Sequence, residues 1–471
     1  MEIILTTLII YMIGVIIIGI IASRYMKTLE DYIIAGRRLG AWVTAISYQA
    51  TALSGWLFMA FAGLVYENGL SHGVWLIIAS GAAPLISFIL IGRGIRRLAE
   101  VTKAYTVIDL LEERFQDRTR IIRIISAIVI FICMIVYAAG QFMATGTLMS
   151  VILNIPYEHA VIYGTIIMAI YMFLGGYLAV AWTDLVQGLI MVFGAVTLSA
   201  LAAAKIGGLP ALLDNLESVN PKFVNPWIMP TVIAGYITAA WLGYLGQPQL
   251  VVRFMSAKGE KQVLNSIPIV SMSAPALLCG AAIASASAII LLPGLAKPEE
   301  SILRLSIALF HPIIAGIFVA ATLAAIMSTS DSLIIAAVST VVRDIYNKMI
   351  RPSASQKELV WLSRIITLIA CIACAAIAIR PFAEMLWVMW WGWGGLTTFA
   401  PLFILAIYWK RATREGCIAG LIAGFIASII WFQLGWHKWL HLSVPAFVFS
   451  MVACIIVSLL TKPPETAYTT T

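Results

Sequence analysis

The chain alternates between long apolar segments and short polar ones, and each apolar segment is about as long as a bilayer is thick. A transmembrane α-helix needs about 20 apolar residues, and about thirteen such windows follow one another. They lie near residues 3–23, 41–66, 73–93, 122–153, 158–180, 183–205, 230–252, 267–293, 310–342, 359–379, 384–408, 415–435 and 441–461. The pattern predicts an all-α polytopic membrane protein with one transmembrane domain over residues 1–471.

Composition and charge agree with this class. The 471 residues are 62% hydrophobic and only 11% charged, which a soluble protein of this length does not need. The net charge of +8 does not indicate a nucleic-acid partner, because the bases fall between apolar windows. Most of them, including those from Arg93 to Arg123 and Arg253, are assigned to cytoplasmic loops. With an odd number of windows, the amino terminus is then outside, the carboxyl terminus is inside, and the location is the plasma membrane.

Two windows are interrupted by residues that break helices. The second contains small and polar residues from Ser47 to Trp56, with Gly55 directly after Ser54. The seventh contains Pro248 after two glycines. Either window could simply pack closely or kink, but interrupted helices five windows apart are typical of inverted-repeat secondary transporters. The two repeats would then be windows 2–6 and 7–11.

A polar run, Ser328 to Ser332, lies inside the apolar ninth window. Polar groups at this depth are costly unless they face a cavity, an ion or a polar partner. Ser328, Asp331 and Ser332 share one helix face. Asp331 could also be a buried residue bonded to its neighbours, and Asp184, which opens the sixth window, could be a helix-start carboxylate. The run predicts a path for an ion or a solute. The chain shows no P-loop for ATP hydrolysis, so uphill transport would need an ion gradient.

Several short motifs occur in a fixed order along the chain. They are Ser54-Gly55-Trp56-Leu57, Trp182-Thr183-Asp184, Gly246-Gln247-Pro248, Arg253-Phe254-Met255 and Ala324-Ala325-Ile326-Met327-Ser328-Thr329. In these the chain resembles the sodium:solute symporter family, and within it the sodium/proline symporters. The resemblance implies a LeuT-type fold with a core over about 41–408 and extra helices at about 3–23, 415–435 and 441–461.

The resemblance also implies roles for particular residues. The family's main Na⁺ site corresponds to the carbonyls of Ala50, Leu53 and Ala325 and the hydroxyls of Ser328 and Thr329. A second cation or proton site corresponds to Asp184, Ser328, Asp331 and Ser332. The solute residues correspond to Trp56, Tyr137, Gln141, Tyr244 and Pro248. The chain departs from the sodium/proline symporters at Ala52 and Ala240, where those proteins carry an aspartate and a tryptophan.

The predicted function is Na⁺-coupled symport of a small carboxylate-bearing solute, with L-proline as the best single candidate. Proton coupling, another amino acid and a small organic acid remain alternatives. A silent sensor or a membrane-embedded enzyme is less favoured, because no signalling module or convergent catalytic group is apparent. The expected partners are the solute and the lipid bilayer, with no nucleic acid and no obligate protein partner.

Overall fold

The computed structural model describes residues 2–23, 34–174 and 177–462. Over these ranges the chain is helical, and the only extended pairing is a single bridge between Leu39 and Ala257. The helices are α1 (Glu2–Ser23), α2 (Ala41–Asn68), α3 (Leu70–Thr102), α4 (Val107–Arg114), α5 (Ile121–Leu153), α6 (Tyr157–Leu174), α7 (Tyr177–Ile206), α8 (Leu209–Val219), α9 (Pro230–Gly246), α10 (Pro248–Ser256), α11 (Glu260–Leu291), α12 (Ser301–Leu309), α13 (Pro312–Ile350), α14 (Gln356–Ile379), α15 (Met385–Tyr408), α16 (Arg414–Gln433) and α17 (Ser443–Leu460).

Within the described ranges, ten helices are long and apolar enough to cross a membrane. Helices α1 and α6 contain shorter apolar stretches, and α9 and α10 are the two parts of one predicted window. The prediction of an all-helical, multi-pass membrane protein is therefore confirmed.

Helix α2 is interrupted at Ser54. This residue has φ 21° and ψ −165°, a conformation that side-chain-bearing residues rarely adopt. The Ser54 hydroxyl accepts a hydrogen bond from the Trp56 amide at 3.1 Å, which holds the chain after the break. A Cβ on Gly55 would lie 2.5 Å from a side-chain carbon of Ile326 and 2.9 Å from Gln141 Oε1. Only glycine lets α13 and α5 approach the break this closely.

A second break separates α9 from α10 at Gln247, whose backbone is extended with φ −80° and ψ 110°. Pro248 is the first residue of α10, where its missing N–H leaves no helix hydrogen bond unmade. The Gln247 side chain crosses to α15 and donates a hydrogen bond to the Trp393 carbonyl at 3.0 Å. Both interruptions that the sequence predicts are therefore present.

The interrupted helix α2 lies in the interior of the molecule. Its apolar window is 94% buried, against 33% for α16 and for α17. It packs against α7, α11 and α13. Helix α13, which carries the polar run, is 83% buried over its apolar window. The break in α2 and the polar run thus meet inside the protein.

The assignment of the basic residues to loops is partly wrong. Arg96, Arg114, Arg123 and Arg253 lie in helices and are buried. Each guanidinium is hydrogen-bonded inside the protein; Arg114 Nε, for example, donates to the Ala406 carbonyl at 2.7 Å. A buried charge is tolerated when its hydrogen bonds are satisfied, and counting charges along the sequence does not detect such partners.

Candidate functional site

A cavity beside the break in α2 is lined mainly by aromatic and small residues from α2, α3, α5, α9 and α15. We call it the aromatic cavity. Its lining residues are Ala52, Trp56, Leu76, Ser80, Tyr137, Tyr236, Ala239, Ala240, Tyr244, Met389, Trp390 and Trp393. Of the predicted solute residues, Trp56, Tyr137 and Tyr244 are brought together here.

Trp393 of α15 is a wall of this cavity that the sequence analysis missed. Its ring centroid lies 5.1 Å from that of Tyr244 and 6.0 Å from that of Tyr137. Its indole N–H donates to the Ala239 carbonyl at 2.9 Å, which fixes the orientation of the ring. The indole reaches this position because Gly243 has no side chain: a Cβ there would lie 1.9 Å from Trp393 Nε1.

Two predicted solute residues do not line the aromatic cavity. Gln141 Nε2 lies 3.3 Å from the Ser54 hydroxyl and supports the break in α2. Pro248 lines a different cavity, which also contacts Gln249, Arg253 and Ser332 and which we call the arginine cavity. Residues of α9 before the break therefore line the aromatic cavity, and residues of α10 after the break line the arginine cavity.

The predicted Na⁺ ligands are buried where α2 meets α13. The Thr329 hydroxyl donates to the Thr51 carbonyl at 3.0 Å and so joins the polar run to the helix that breaks three residues later. The Ser328 hydroxyl lies near the Asp184 carboxylate but makes no hydrogen bond of normal geometry to any residue that the structure describes. The other predicted ligand residues are also buried, namely Ala50, Leu53 and Ala325. Carbonyl and hydroxyl oxygens in a buried position are the donors that a hard cation prefers.

Asp184 is tied to α2 and to α10. It is fully buried, and its Oδ2 accepts hydrogen bonds from Ser47 at 2.6 Å and from Arg253 Nη2 at 3.2 Å. Arg253 Nη2 also donates to Thr51 Oγ1 at 2.6 Å and to Ser332 Oγ at 2.7 Å. The sequence analysis placed Asp184 and Ser332 in a second cation site, and it missed the arginine between them.

Asp331, another member of that predicted second site, is also buried. Tyr11 of α1 and Cys371 of α14 lie in its surroundings. Asp331 directly precedes Ser332 on α13, so both lie, like Asp184, close to the place where α7 meets α13.

Comparison with known proteins identifies the family of this chain. The model of the sodium:solute symporter family matches residues 32–424. The chain belongs to the sodium:solute symporter family. It is 34% identical to the sodium/proline symporter of Haemophilus influenzae, over 98% of this chain and 95% of that protein. It is 33% identical to the high-affinity proline transporter PutP of Bacillus subtilis, over 96% of this chain and 97% of that protein.

The fold of this symporter is that of a solved relative. A structure described as the substrate-bound outward-open state of a Na⁺-coupled sialic acid symporter superposes with a TM-score of 0.80. The two chains are 22% identical, and 98% of each is covered. At this identity the likeness establishes the shared fold and not the solute.

The far end of the symporter's arginine cavity is bounded by a charged network. Asp344 and Thr106 line the cavity there, and the Thr106 hydroxyl donates to Asp344 at 3.1 Å. Arg123 forms ion pairs with Asp344, with Glu112 and with Asp109, the last at 2.7 Å. These contacts tie α4 and the start of α5 to the end of α13.

A third and wider cavity adjoins the aromatic cavity, with Tyr236 and Trp390 lining both. Its wall carries three carboxylates, those of Glu67, Glu299 and Glu384. His441 also lines it, and burial lowers the pKa of this side chain to about 3. That imidazole therefore stays neutral at physiological pH. The three carboxylates outnumber the one lysine of the wall, Lys438, so the wide cavity carries an excess of acidic groups.

Proposed function

We propose that this symporter couples the inward movement of Na⁺ to the uptake of L-proline by alternating access. The proline assignment is supported by relatives that are named as proline transporters. The chain matches these relatives over nearly their whole length. The observation that carries the proposal is the hydrogen bond from Thr329 to the Thr51 carbonyl, beside an aromatic cavity that opens at the same break. A cation and a solute bound on the two sides of one break could each stabilise the other's site.

The principal Na⁺ ligands are the carbonyls of Ala50, Leu53 and Ala325 and the hydroxyls of Ser328 and Thr329. Neutral oxygens bind the ion without a fixed countercharge, so release into the cell needs only a small movement of α2 away from α13. A second cation would bind at Asp184, Asp331 and Ser332. The solute would lie against Trp56, Tyr137 and Tyr244, with its carboxylate towards the backbone freed at the breaks. Gln141 and Pro248 would support these breaks.

The chain crosses the membrane about thirteen times in this proposal, with α9 and α10 as one interrupted span. The first inverted repeat comprises α2, α3, α5, α6 and α7, and the second comprises α9–α10, α11, α13, α14 and α15. Helices α1, α16 and α17 are additional. The amino terminus is outside and the carboxyl terminus is inside, which puts the wide cavity outside and the Arg123 network inside.

Two small residues of the aromatic cavity, Ala52 and Ala240, favour a solute other than proline. Ala52 and Ala240 both line the aromatic cavity, at the positions where sodium/proline symporters carry an aspartate and a tryptophan. Replacing an indole by a methyl group frees space, although Trp393 fills part of the wall. A larger amino acid or a small organic acid is therefore the alternative to proline. Coupling to H⁺ in place of Na⁺ is a further alternative, which an inward H⁺ gradient tests.

Uptake into proteoliposomes tests the proposal. Radiolabelled L-proline is offered under an inward Na⁺ gradient, an inward H⁺ gradient or neither, and unlabelled amino and organic acids are added as competitors. We expect accumulation only with the Na⁺ gradient and competition by few other solutes. Accumulation with the H⁺ gradient alone would contradict Na⁺ coupling. A competitor that blocks uptake at a lower concentration than proline would identify the alternative solute.

A further inference from the structure

One nitrogen atom of Arg253 sits where a second cation would have to bind. Its Nη2 lies 2.6 Å from Thr51 Oγ1, 2.7 Å from Ser332 Oγ and 3.2 Å from Asp184 Oδ2. These three oxygens come from α2, α13 and α7, so the nitrogen bridges three helices. Both Arg253 and Asp184 are almost completely excluded from solvent. A positive group surrounded by oxygens from three helices has the surroundings of a bound metal cation.

We propose that Arg253 and a second Na⁺ compete for this position, so that each binds only when the other has left. The inference rests on the proposed Na⁺ coupling and adds to it a cation that is built into the chain. Ca²⁺, a hard cation close to Na⁺ in size, contacts its oxygen ligands at roughly 2.3–2.6 Å. A Na⁺ at that distance from these three oxygens would overlap with Nη2, which is already within hydrogen-bonding distance of all of them. The two positive charges would also repel each other strongly at such a short distance in a buried site.

The displaced Arg253 guanidinium can move into the arginine cavity. Arg253 lines the arginine cavity, and the carboxylate of Asp344 lines the same cavity. Asp344 is fully buried, and its Oδ2 makes no hydrogen bond within the described part of the chain. Its neighbour Arg123 pairs with Oδ1. An arginine that leaves Asp184 can therefore enter a cavity with a second carboxylate on its wall, so its positive charge does not stay uncompensated.

In this competition, the Arg253 guanidinium promotes release of the second Na⁺. Helix α10 carries Arg253 and begins at Pro248, directly after the break that adjoins the aromatic cavity. A movement of α10 that follows solute binding also moves the guanidinium relative to Asp184. When Arg253 returns to Asp184 and Ser332, it takes over the contacts of the second ion, which then leaves through the arginine cavity.

Equilibrium binding of ²²Na⁺ to the purified full-length protein, without any solute, tests the competition. We expect Arg253→Gln to bind an additional Na⁺, or to reach half-saturation at a Na⁺ concentration at least about tenfold lower than the wild type, because the competing charge is gone. The gain should disappear in the double variant Arg253→Gln/Asp184→Asn. Arg253→Lys, which keeps the charge on a shorter head group, should show a smaller gain than Arg253→Gln. Arg114→Gln removes another buried arginine, one bonded to backbone carbonyls of α15, and should bind Na⁺ like the wild type.

Each result bears on a different statement. If Na⁺ binds equally well to the wild type and to Arg253→Gln, or if the gain persists in the double variant, the competition is refuted while Na⁺ coupling stands. If no form binds Na⁺, the coupling fails and the competition fails with it.

Should the arginine variants not fold, hydrogen–deuterium exchange of the α10 peptide in the wild type tests the competition instead. Exchange that rises with Na⁺, but does not in Asp184→Asn, supports displacement; exchange that ignores Na⁺ refutes it.

Discussion

The Thr329 hydroxyl joins the polar run of α13 to the broken helix α2 by donating to the Thr51 carbonyl. Thr329→Ala removes this oxygen and should raise the Na⁺ concentration that half-saturates uptake. A hydrogen bond or contact to a charged partner contributes about 1.5–3 kcal/mol, which corresponds to roughly a tenfold to hundredfold change. The measurement is solute uptake against Na⁺ concentration in proteoliposomes.

Two other substitutions on α13 control this prediction. Thr329→Ser keeps the hydroxyl and should retain most of the Na⁺ affinity. Thr322→Ala removes a buried hydroxyl that donates within its own helix, to the Phe318 carbonyl at 3.0 Å, and should leave the Na⁺ dependence unchanged. If Thr329→Ala has the wild-type Na⁺ dependence, its hydroxyl is not a ligand.

Gly243 sets the depth of the aromatic cavity. A Cβ at this residue would lie 1.9 Å from Trp393 Nε1, so Gly243→Ala must push the indole into the cavity or away from α9. Overpacking of this kind costs about 1–3 kcal/mol, and uptake efficiency should fall by roughly tenfold or more. Gly81→Ala in α3 is the matched control, because its Cβ would meet the nearest atom at an ordinary 3.7 Å. Equal uptake by the two variants would show that Trp393 does not shape the solute site.

Some site residues could be predicted from the sequence and others could not. Thr329 and Asp184 stand out because they are polar residues in apolar surroundings, a property that the sequence itself displays. Trp393 and Arg253 do not stand out in this way. Trp393 is one of several tryptophans in an aromatic segment, and Arg253 adjoins basic residues that fit a loop. Their roles depend on partners far away in the chain: Arg253 contacts Ser47, 206 positions earlier.

At the scale of elements, the two helix breaks could be predicted because their causes are local. Pro248 cannot donate a backbone hydrogen bond, and Gly55 follows a serine that can bond its own backbone. The π-helical turns could not be predicted in this way. Residues Trp56–Phe61 and Thr340–Ile350 form such turns, and their sequences also suit an ordinary α-helix. The wider turn is selected by packing against neighbouring helices, which a local pattern does not contain.

The Arg123 network connects three elements, α4, α5 and α13, and should contribute strongly to stability. Arg123→Gln leaves the buried carboxylates of Asp344 and Asp109 without their cation. Removing one partner of a buried ion pair costs about 3–5 kcal/mol, so thermal unfolding in detergent should occur at a clearly lower temperature. Arg118→Gln, an exposed arginine four residues after Arg114, is the control and should change the unfolding temperature little. An unchanged unfolding temperature for Arg123→Gln would show that the network is not structural.

At the scale of the whole molecule, the three cavities lie in sequence along the proposed path. The wide cavity carries glutamates that attract cations, the aromatic cavity adjoins the breaks, and the arginine cavity ends at the Arg123 network. The fold class could be predicted from hydropathy alone, because a bilayer requires long apolar helices. The order of the cavities could not, since it depends on which helix faces meet. If the wide cavity faces outside, the solute and Na⁺ enter through it and leave through the arginine cavity. This direction of transport depends on the orientation of the chain in the membrane.

Orientation is tested by labelling two exposed serines after their replacement by cysteine. Ser218 lies in the last turn of α8, whose charged residues are Asp214 and Glu217. Ser353 lies between α13 and α14, near Arg351 and Lys357. Basic loops stay inside, so a membrane-impermeant maleimide should label Ser218→Cys in intact cells and Ser353→Cys only after permeabilisation. The parent protein, with its six cysteines, gives the background. The reverse labelling pattern would invert the orientation and make the arginine cavity the entry side, whereas labelling of both positions in intact cells would contradict an odd number of spans between them.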